Sequence, residues 1–152
     1  MENDDQRCAA EEFLHARIPL TRAMGLRVIA HDDAGFTVAA PVALNSNHLG
    51  TAFGGSINAV ATLAAYGLLW LELRDEPADV VIRDSSIRFL RPIHQAITAV
   101  CARPDPAEIA TFKASVRANG NARISLHVHV EENDATAAVL HATFVAVRRS
   151  SS

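Results

Sequence analysis

The sequence predicts an α+β protein in which a curved antiparallel sheet wraps around one long central helix. Two observations carry that expectation. The stretch "INAVATLAAYGLLWL" at residues 57–71 is apolar on nearly every face, and such a helix is either a membrane span or the buried centre of a globule. It falls short of the roughly 20 apolar residues of a span, holds Asn58 and Thr62, and ends in Glu72 and Arg74. It therefore reads as the buried centre. Strand patterns dominate the rest, with only one weaker helical segment among them, and a helix greasy all round is best covered by a sheet that bends about it.

In chain order, residues 9–20 carry an amphipathic pattern through Phe13, Leu14 and Ile18 and read as a short helix ended near Pro19. Residues 26–30 and 36–42 read as strands around "HDDAG", whose Asp and Gly residues supply turn chemistry. The glycine-rich stretch "NSNHLGTAFGGS" at 45–56 and the apolar helix follow, and Pro77 in "RDEPAD" stops further helix. Residues 80–90 are strand-like, with Val80, Val81 and Ile82 continuous and Ile87 and Phe89 alternating with Arg88 before Pro92. Residues 97–101 form another strand. Residues 107–118 have helical spacing at Ile109, Phe112 and Val116, ended by "NGN". Ile124, Leu126, Val128 and Val130 alternate with Ser125, His127, His129 and Glu131, as in a half-buried antiparallel strand. A last strand at 139–147 joins through "ENDAT". With no repeat or linker, the chain reads as one domain over 1–152, with an ordered core at about 9–148 and a disordered "SSS" tail.

Composition narrows the function classes. Hydrophobic residues are 49% and charged residues 20% of 152, a soluble globular balance. A net charge of -3 argues against nucleic acid, which needs a concentrated basic footprint. Cys8 and Cys101 lie far apart without metal-ligand spacing and read as free thiols of a reducing compartment. "MENDDQR" lacks the apolar core of a secretory signal, so a cytoplasmic location without a membrane span is expected. No metal or other cofactor is expected.

The loop at 45–56 carries the chemistry. The first amides of a helix lack intrahelical partners and gather the positive end of its dipole. Gly54 and Gly55 leave room for a carbonyl to approach those N–H groups and form an oxyanion hole. The plainer reading is that Ser56 or Thr51 caps a buried helix whose glycines allow close packing. Asn45 and Asn47 have amides suited to a carbonyl, a carboxylate or a water, and equally suited to Asx turns. His48 has the tunable pKa of a general base but also the look of a solvated loop residue.

Here the residues carry a resemblance. "APVALNSNHLGTAFGGSINAVATLAAYGLLWLEL" resembles the loop and central helix of hotdog-fold enzymes acting on acyl thioesters. More narrowly it is similar to a bacterial thioesterase family found alone or fused behind an acetyltransferase domain. That family's signature, Asn-x-Asn-x-x-Gly-Thr-x-Phe-Gly-Gly-Ser, is present at every position from Asn45 to Ser56. "PLTRAMGLRV", "VVIRDSSIRFLRPI" and "NGNARISLHVHV" also match, so the likeness spans about residues 18–148.

The resemblance implies a hotdog fold and an acyl-CoA or acyl carrier protein substrate. It also implies a homodimer or higher assembly with the substrate channel between subunits. Asn45, Asn47, Gly54 and Gly55 become catalytic candidates, and His48, Thr51, Phe53 and Ser56 substrate contacts. Two departures stand out. Most hotdog thioesterases place a histidine where Phe53 stands, and many carry Asp or Glu where Thr62 stands; no carboxylate occurs at 54–71. General-base help is worth roughly 10²–10⁴-fold in hydrolysis. Decarboxylation of a malonyl thioester needs no base, and members of the family have also been assigned as malonyl-acyl carrier protein decarboxylases. Thr62 stays a candidate for positioning water. A non-catalytic domain that binds an acyl chain or a carrier protein is the third possibility.

Elsewhere, Arg83, Arg88 and Arg91 give one strand three cations near its end; Arg91 in "RFLRP" suits the phosphate of a pantetheine arm, while Arg88 reads as surface. His127 and His129 form an HxH without a third zinc ligand, and His141 has no more support. Asp84, Ser85 and Ser86 either face solvent or line the substrate tunnel. Tyr66 and Trp70 read as core or dimer contacts.

Overall fold

The computed structural model describes residues 1–150; the end of the "SSS" tail, at 151–152, lies outside the described residues. Four helices, α1 (Glu2–Arg17), α2 (Leu20–Ala23), α3 (Gly54–Glu72) and α4 (Pro106–Asn119), accompany six strands. The strands are β1 (Arg27–Asp32), β2 (Gly35–Pro41), β3 (Ala78–Phe89), β4 (Ala96–Ala102), β5 (Asn121–Glu132) and β6 (Ala135–Arg148). They form one open antiparallel sheet in the order β1-β2-β4-β5-β6-β3. This is the expected α+β arrangement, with α3 held against the concave face. By length and composition α3 could cross a membrane, yet 56% of that apolar window is buried inside the protein, as in the core helix of a soluble fold.

The alternation in the sequence decides which face turns inward. Along β5 every second side chain from Ala122 to Val130 is buried, and the residues between them face outward. From β2, Phe36, Val38 and Ala40 point the same way. On α3, Val60, Ala61, Ala64, Ala65, Leu68 and Leu69 are fully buried. Small residues bring helix and sheet close together: a Cβ at Gly67 would lie 2.4 Å from Cε1 of Phe36, a ring with no exposed surface.

The α3 surface away from the sheet forms a stripe of Gly55, Asn58, Ala59, Thr62, Tyr66 and Trp70, none of them fully buried. α1 covers its far end, where Phe13 stacks on Trp70 at 4.4 Å and on Tyr66 at 6.4 Å. α1 starts at Glu2, earlier than apolar periodicity shows, because its first turn is built from Glu2, Asp4 and Asp5. Acids there favour the helix through its dipole rather than by burial. That helix ends at Arg17 with Ile18 as its C-cap, near Pro19 as expected, and Pro19 is the N-cap residue of α2.

α4 matches expectation, with Asp105 accepting from Ala107 N at 2.9 Å and Gly120 closing the helix at φ 78. It packs on β5. Ion pairs join it to the end of α3 and the turn beyond, Glu72 meeting Lys113 at 3.5 Å and Glu76 meeting Arg117, while Arg103, in the segment before α4, meets Glu72 at 3.2 Å. Cys8 is exposed and Cys101 buried, both free; burial pushes the Cys101 thiol up to about 12.

Two predictions follow from this packing. Gly67→Ala should lower unfolding stability by about 1–3 kcal/mol, the usual range for overpacking, as read by chemical denaturation, because the buried Phe36 ring has nowhere to move. His31, on β1, is 8% exposed with neither ring nitrogen hydrogen-bonded. Burial, with help from Arg103, lowers its pKa, while Glu72 and Asp32 oppose the shift. The unfolded chain then binds more protons as pH falls through the ordinary histidine value of about 6.5 and below. Stability should therefore fall from pH 7 towards pH 5, and His31→Leu should flatten that part of a melting-temperature profile.

Candidate active site

β2 ends at Pro41, and a 3-10 turn at Val42–Leu44 leads into the glycine-rich loop. Backbone bonds fix the loop to the segment after β3: Val42 N donates to Gln95 O at 2.9 Å and Ala52 N to Ile93 O at 2.8 Å. Ser46 and Ala52 form a bridge between them.

The two asparagines build this loop. Asn45 is 5% exposed, and its Nδ2 donates to Met24 O at 3.0 Å and Pro41 O at 2.8 Å. Its own carbonyl accepts from Phe53 N at 2.8 Å. The side chain therefore ties three chain segments together. Asn47 Oδ1 accepts from the N–H groups of Leu49 at 2.9 Å and Thr51 at 3.1 Å. Its Nδ2 donates to Thr51 Oγ1 at 2.9 Å and to Ala52 O at 3.4 Å. Gly50 turns the loop at φ 79, a left-handed conformation that glycine adopts without strain. In both asparagines the amide protons are already engaged by the protein.

The loop delivers the N-terminus of α3. Phe53 is its extended N-cap residue, and no side chain caps the helix among the described residues. The first intrahelical bond runs from Ile57 N to Phe53 O at 3.0 Å, so the amides of Gly54, Gly55 and Ser56 are the helix's orphan donors. The Phe53 ring folds over Gly55, where a Cβ would lie 2.5 Å from its Cε2. Phe89, on the inner face of β3, covers Gly54, whose Cβ would sit 3.5 Å from Cζ. Leu44, Leu49, Phe53, Phe89 and Leu90 are each more than half exposed, giving the loop and the end of β3 an apolar rim.

The other predicted residues are not all gathered at this centre. Thr51 belongs to the Asn47 network and Ser56 lies in the first turn of α3. His48 is exposed on the loop. Thr62 is half-buried, its Oγ1 3.4 Å from Asn58 Oδ1, about 12 Å from Gly54 along the axis at 1.5 Å per residue. A single copy of the chain thus does not bring Thr62 to the loop. Arg91 is exposed just after β3, its N–H donating to Ala137 O at 3.1 Å. Among the described residues no group of three or more His, Cys, Asp and Glu could hold a metal ion. His127 pairs across strands with His141, rings 4.4 Å apart, on the outer face away from α3.

Sequence reasoning missed the parts of the site supplied at a distance. Phe89 could have been suspected from its inward place in the alternation of β3. The carbonyls of Ile93 and Gln95, being backbone, leave no mark in residue identity.

Comparison with known proteins agrees with the fold. Among solved structures, a protein of unknown function from Chlorobaculum tepidum superposes with TM-score 0.91 at 24% identity, covering 97% of both chains. A putative thioesterase from Shewanella oneidensis gives 0.83 at 26%, covering 95% of this chain and 99% of that one. A probable thioesterase from Pseudomonas aeruginosa gives 0.81 at 20%, covering 93% and 95%. The family model described as "Putative thioesterase (yiiD_Cterm)" matches residues 8–148. The chain therefore belongs to that thioesterase family and has the hotdog fold of its structural neighbours.

Proposed function

We propose that the N-terminus of α3 holds the carbonyl oxygen of an acyl thioester and that the protein hydrolyses it. One observation carries this reading: the amides of Gly54, Gly55 and Ser56 have no side-chain cap among the described residues and lie beside an apolar rim. Water adds to the thioester carbon, negative charge gathers on the oxygen held by those amides, and collapse expels the thiolate, which takes a proton. Each donor to such an oxyanion is worth roughly 3–4 kcal/mol in the transition state. Asn45 and Asn47 act as positioning residues that hold the amides in place. Arg91, exposed just after β3, suits the phosphate of a CoA or carrier-protein arm.

A second copy completes the site in this reading. Among the described residues β3 pairs only with β6, and its other edge is unpaired along a strand whose side chains are mostly exposed. A long unpaired edge is a template for strand addition. Antiparallel pairing of two β3 strands about a twofold axis sets the α3 helices side by side in opposite directions. The Asn58–Thr62 pair of one copy then approaches the loop of the other, where it can orient water.

The acid-free helix favours a second reaction at the same place. In a malonyl thioester the bond to the carboxylate breaks, carbon dioxide leaves, and the electron pair forms an enolate whose oxygen the same amides hold. Protonation at carbon then gives the acetyl thioester. No base is needed, and no carboxylate lies on α3 before Glu72.

Incubation with malonyl and saturated acyl thioesters separates the outcomes: free thiol for hydrolysis, carbon dioxide with acetyl thioester for decarboxylation, and neither for a binding domain. Light scattering should give twice the monomer mass; a monomer would remove the shared site. Asn45→Ala should cost about 1–3 kcal/mol of stability by removing the donor to the buried Met24 carbonyl and the partly buried Pro41 carbonyl, and should slow turnover. Full activity in both Asn45→Ala and Asn47→Ala would overturn the loop's role.

A further inference from the structure

The C-terminal end of α3 carries a second site, and we propose that it binds a phosphate monoester. A cavity of about 410 Å³ lies there between the end of α1, the last turns of α3, the start of β3 and the segment after β6. One wall is aromatic, where Phe13 stacks on Trp70 at 4.4 Å and on Tyr66 at 6.4 Å. The charged lining is Arg17, Arg74 and Arg149 against one carboxylate, Asp79. The cavity thus holds a local excess of positive charge in a chain whose net charge is -3. From Gly54 to Trp70 the helix rises about 24 Å at 1.5 Å per residue, so the cavity is separate from the α3 amides of its own copy.

The donors of this cavity are open to a ligand. Arg27, Arg103, Arg117 and Arg148 are each held within the chain, by Glu11, Glu72, Glu76 and the carbonyl of Val116. Arg17 and Arg74, by contrast, donate to no protein oxygen among the described residues. Arg74 lies over the Trp70 ring, 5.2 Å from its centroid, which settles its guanidinium at the cavity wall. Arg149 is held loosely, 3.9 Å from Asp79 and 3.4 Å from the Glu76 carbonyl. Burial, with Asp79, raises the Tyr66 pKa against the opposing pull of Arg17, so its hydroxyl keeps its proton and can donate. A guanidinium fork gives paired N–H bonds to anionic oxygens, and one carboxylate satisfies one fork. A phosphate monoester brings a charge of about -1.5 to -2 and three acceptor oxygens, which match two guanidiniums and the tyrosine together. The aromatic wall keeps water from one side and strengthens each contact. The phosphate belongs either to the arm of a thioester, reaching in from the loop of a second copy, or to a free phosphate ester.

Trp70 is the only tryptophan of the chain, so its fluorescence reports this site through the Arg74 contact. Titration with glycerol phosphate or pantetheine 4′-phosphate should change that emission saturably, and acetate at equal ionic strength should not. By isothermal titration calorimetry, Arg17→Gln and Arg74→Gln should each bind about tenfold more weakly, the usual scale for a charged hydrogen bond. Asp79→Asn removes the one opposing charge and releases Arg149, so it should bind about threefold or more tightly. A gain in affinity cannot come from misfolding, which keeps the test decisive. Arg27→Gln, outside the cavity and paired with Glu11, should bind as wild type does. Tighter binding of pantetheine 4′-phosphate than of glycerol phosphate identifies a thioester's arm as the source; equal binding identifies a free ester. The proposal is overturned by silence in both fluorescence and heat with either phosphate, by an equal response to acetate, or by wild-type affinity in Arg17→Gln and Arg74→Gln. Because no turnover is read, each of these results leaves the thioester reading to its own test.

Discussion

A helix without a polar face has to be enclosed, and much of this molecule follows from enclosing α3. A flat sheet touches only one side of a cylinder, so the strands must curve. Register irregularities at Val28/Ala30 in β1, Ile82/Asp84 in β3 and Val130/Glu131 in β5 let strands bend and twist locally. Small residues on the helix, above all Gly67 under Phe36, set how closely the sheet approaches. Enclosure also separates what the two ends of the helix can do. The middle of α3 is sealed in apolar contacts, so polar chemistry is confined to its termini and to the stripe facing away from the sheet.

Precise placement of the N-terminal amides comes from the loop rather than from the helix. Asn45 grips the chain before β1 and the end of β2, while its carbonyl holds the Phe53 amide. Asn47 closes the next turn on itself through Thr51. With those polar groups engaged internally, the loop has little freedom to collapse onto the helix end and cap it. Each asparagine satisfies its own set of loop carbonyls and amides, and none of these bonds uses the first amides of α3.

Much of the fold was legible because each element declared its own period. The apolar run of α3, the alternation of Ile124, Leu126, Val128 and Val130, and the Asp105 and Gly120 punctuation of α4 each express a local rule. The start of α1 was not legible, since acids fitted to a helix dipole do not look amphipathic. The loop's importance showed in its glycines and asparagines. The division of labour did not, because whether an amide faces a ligand or the carbonyl of Met24 depends on where a distant segment passes. The position of Thr62 posed the same difficulty: spacing places it two turns along the helix, and only the rigid rise of α3 shows that its own loop lies out of reach.

The charges at the ends of α3 run against the usual arrangement, and this has a chemical consequence. Acids normally sit in the first turn of a helix and bases in the last. α3 has neither; it reaches Glu72 at its C-terminal end, where a carboxylate opposes the dipole. Arg103 and Lys113 flank that carboxylate, so its charge is offset locally by residues from outside the helix. At the other end nothing offsets the dipole: no side chain caps it among the described residues, and no acid occupies the first turn. The positive potential at Gly54 and Gly55 is therefore free to act on an incoming oxygen. An acid introduced into that first turn would stabilise the isolated helix while removing the potential on which an oxyanion depends. Stability of the helix and the oxyanion chemistry proposed at its N-terminus thus make opposite demands on those positions, and the absence of an acid from the first turn suits the second.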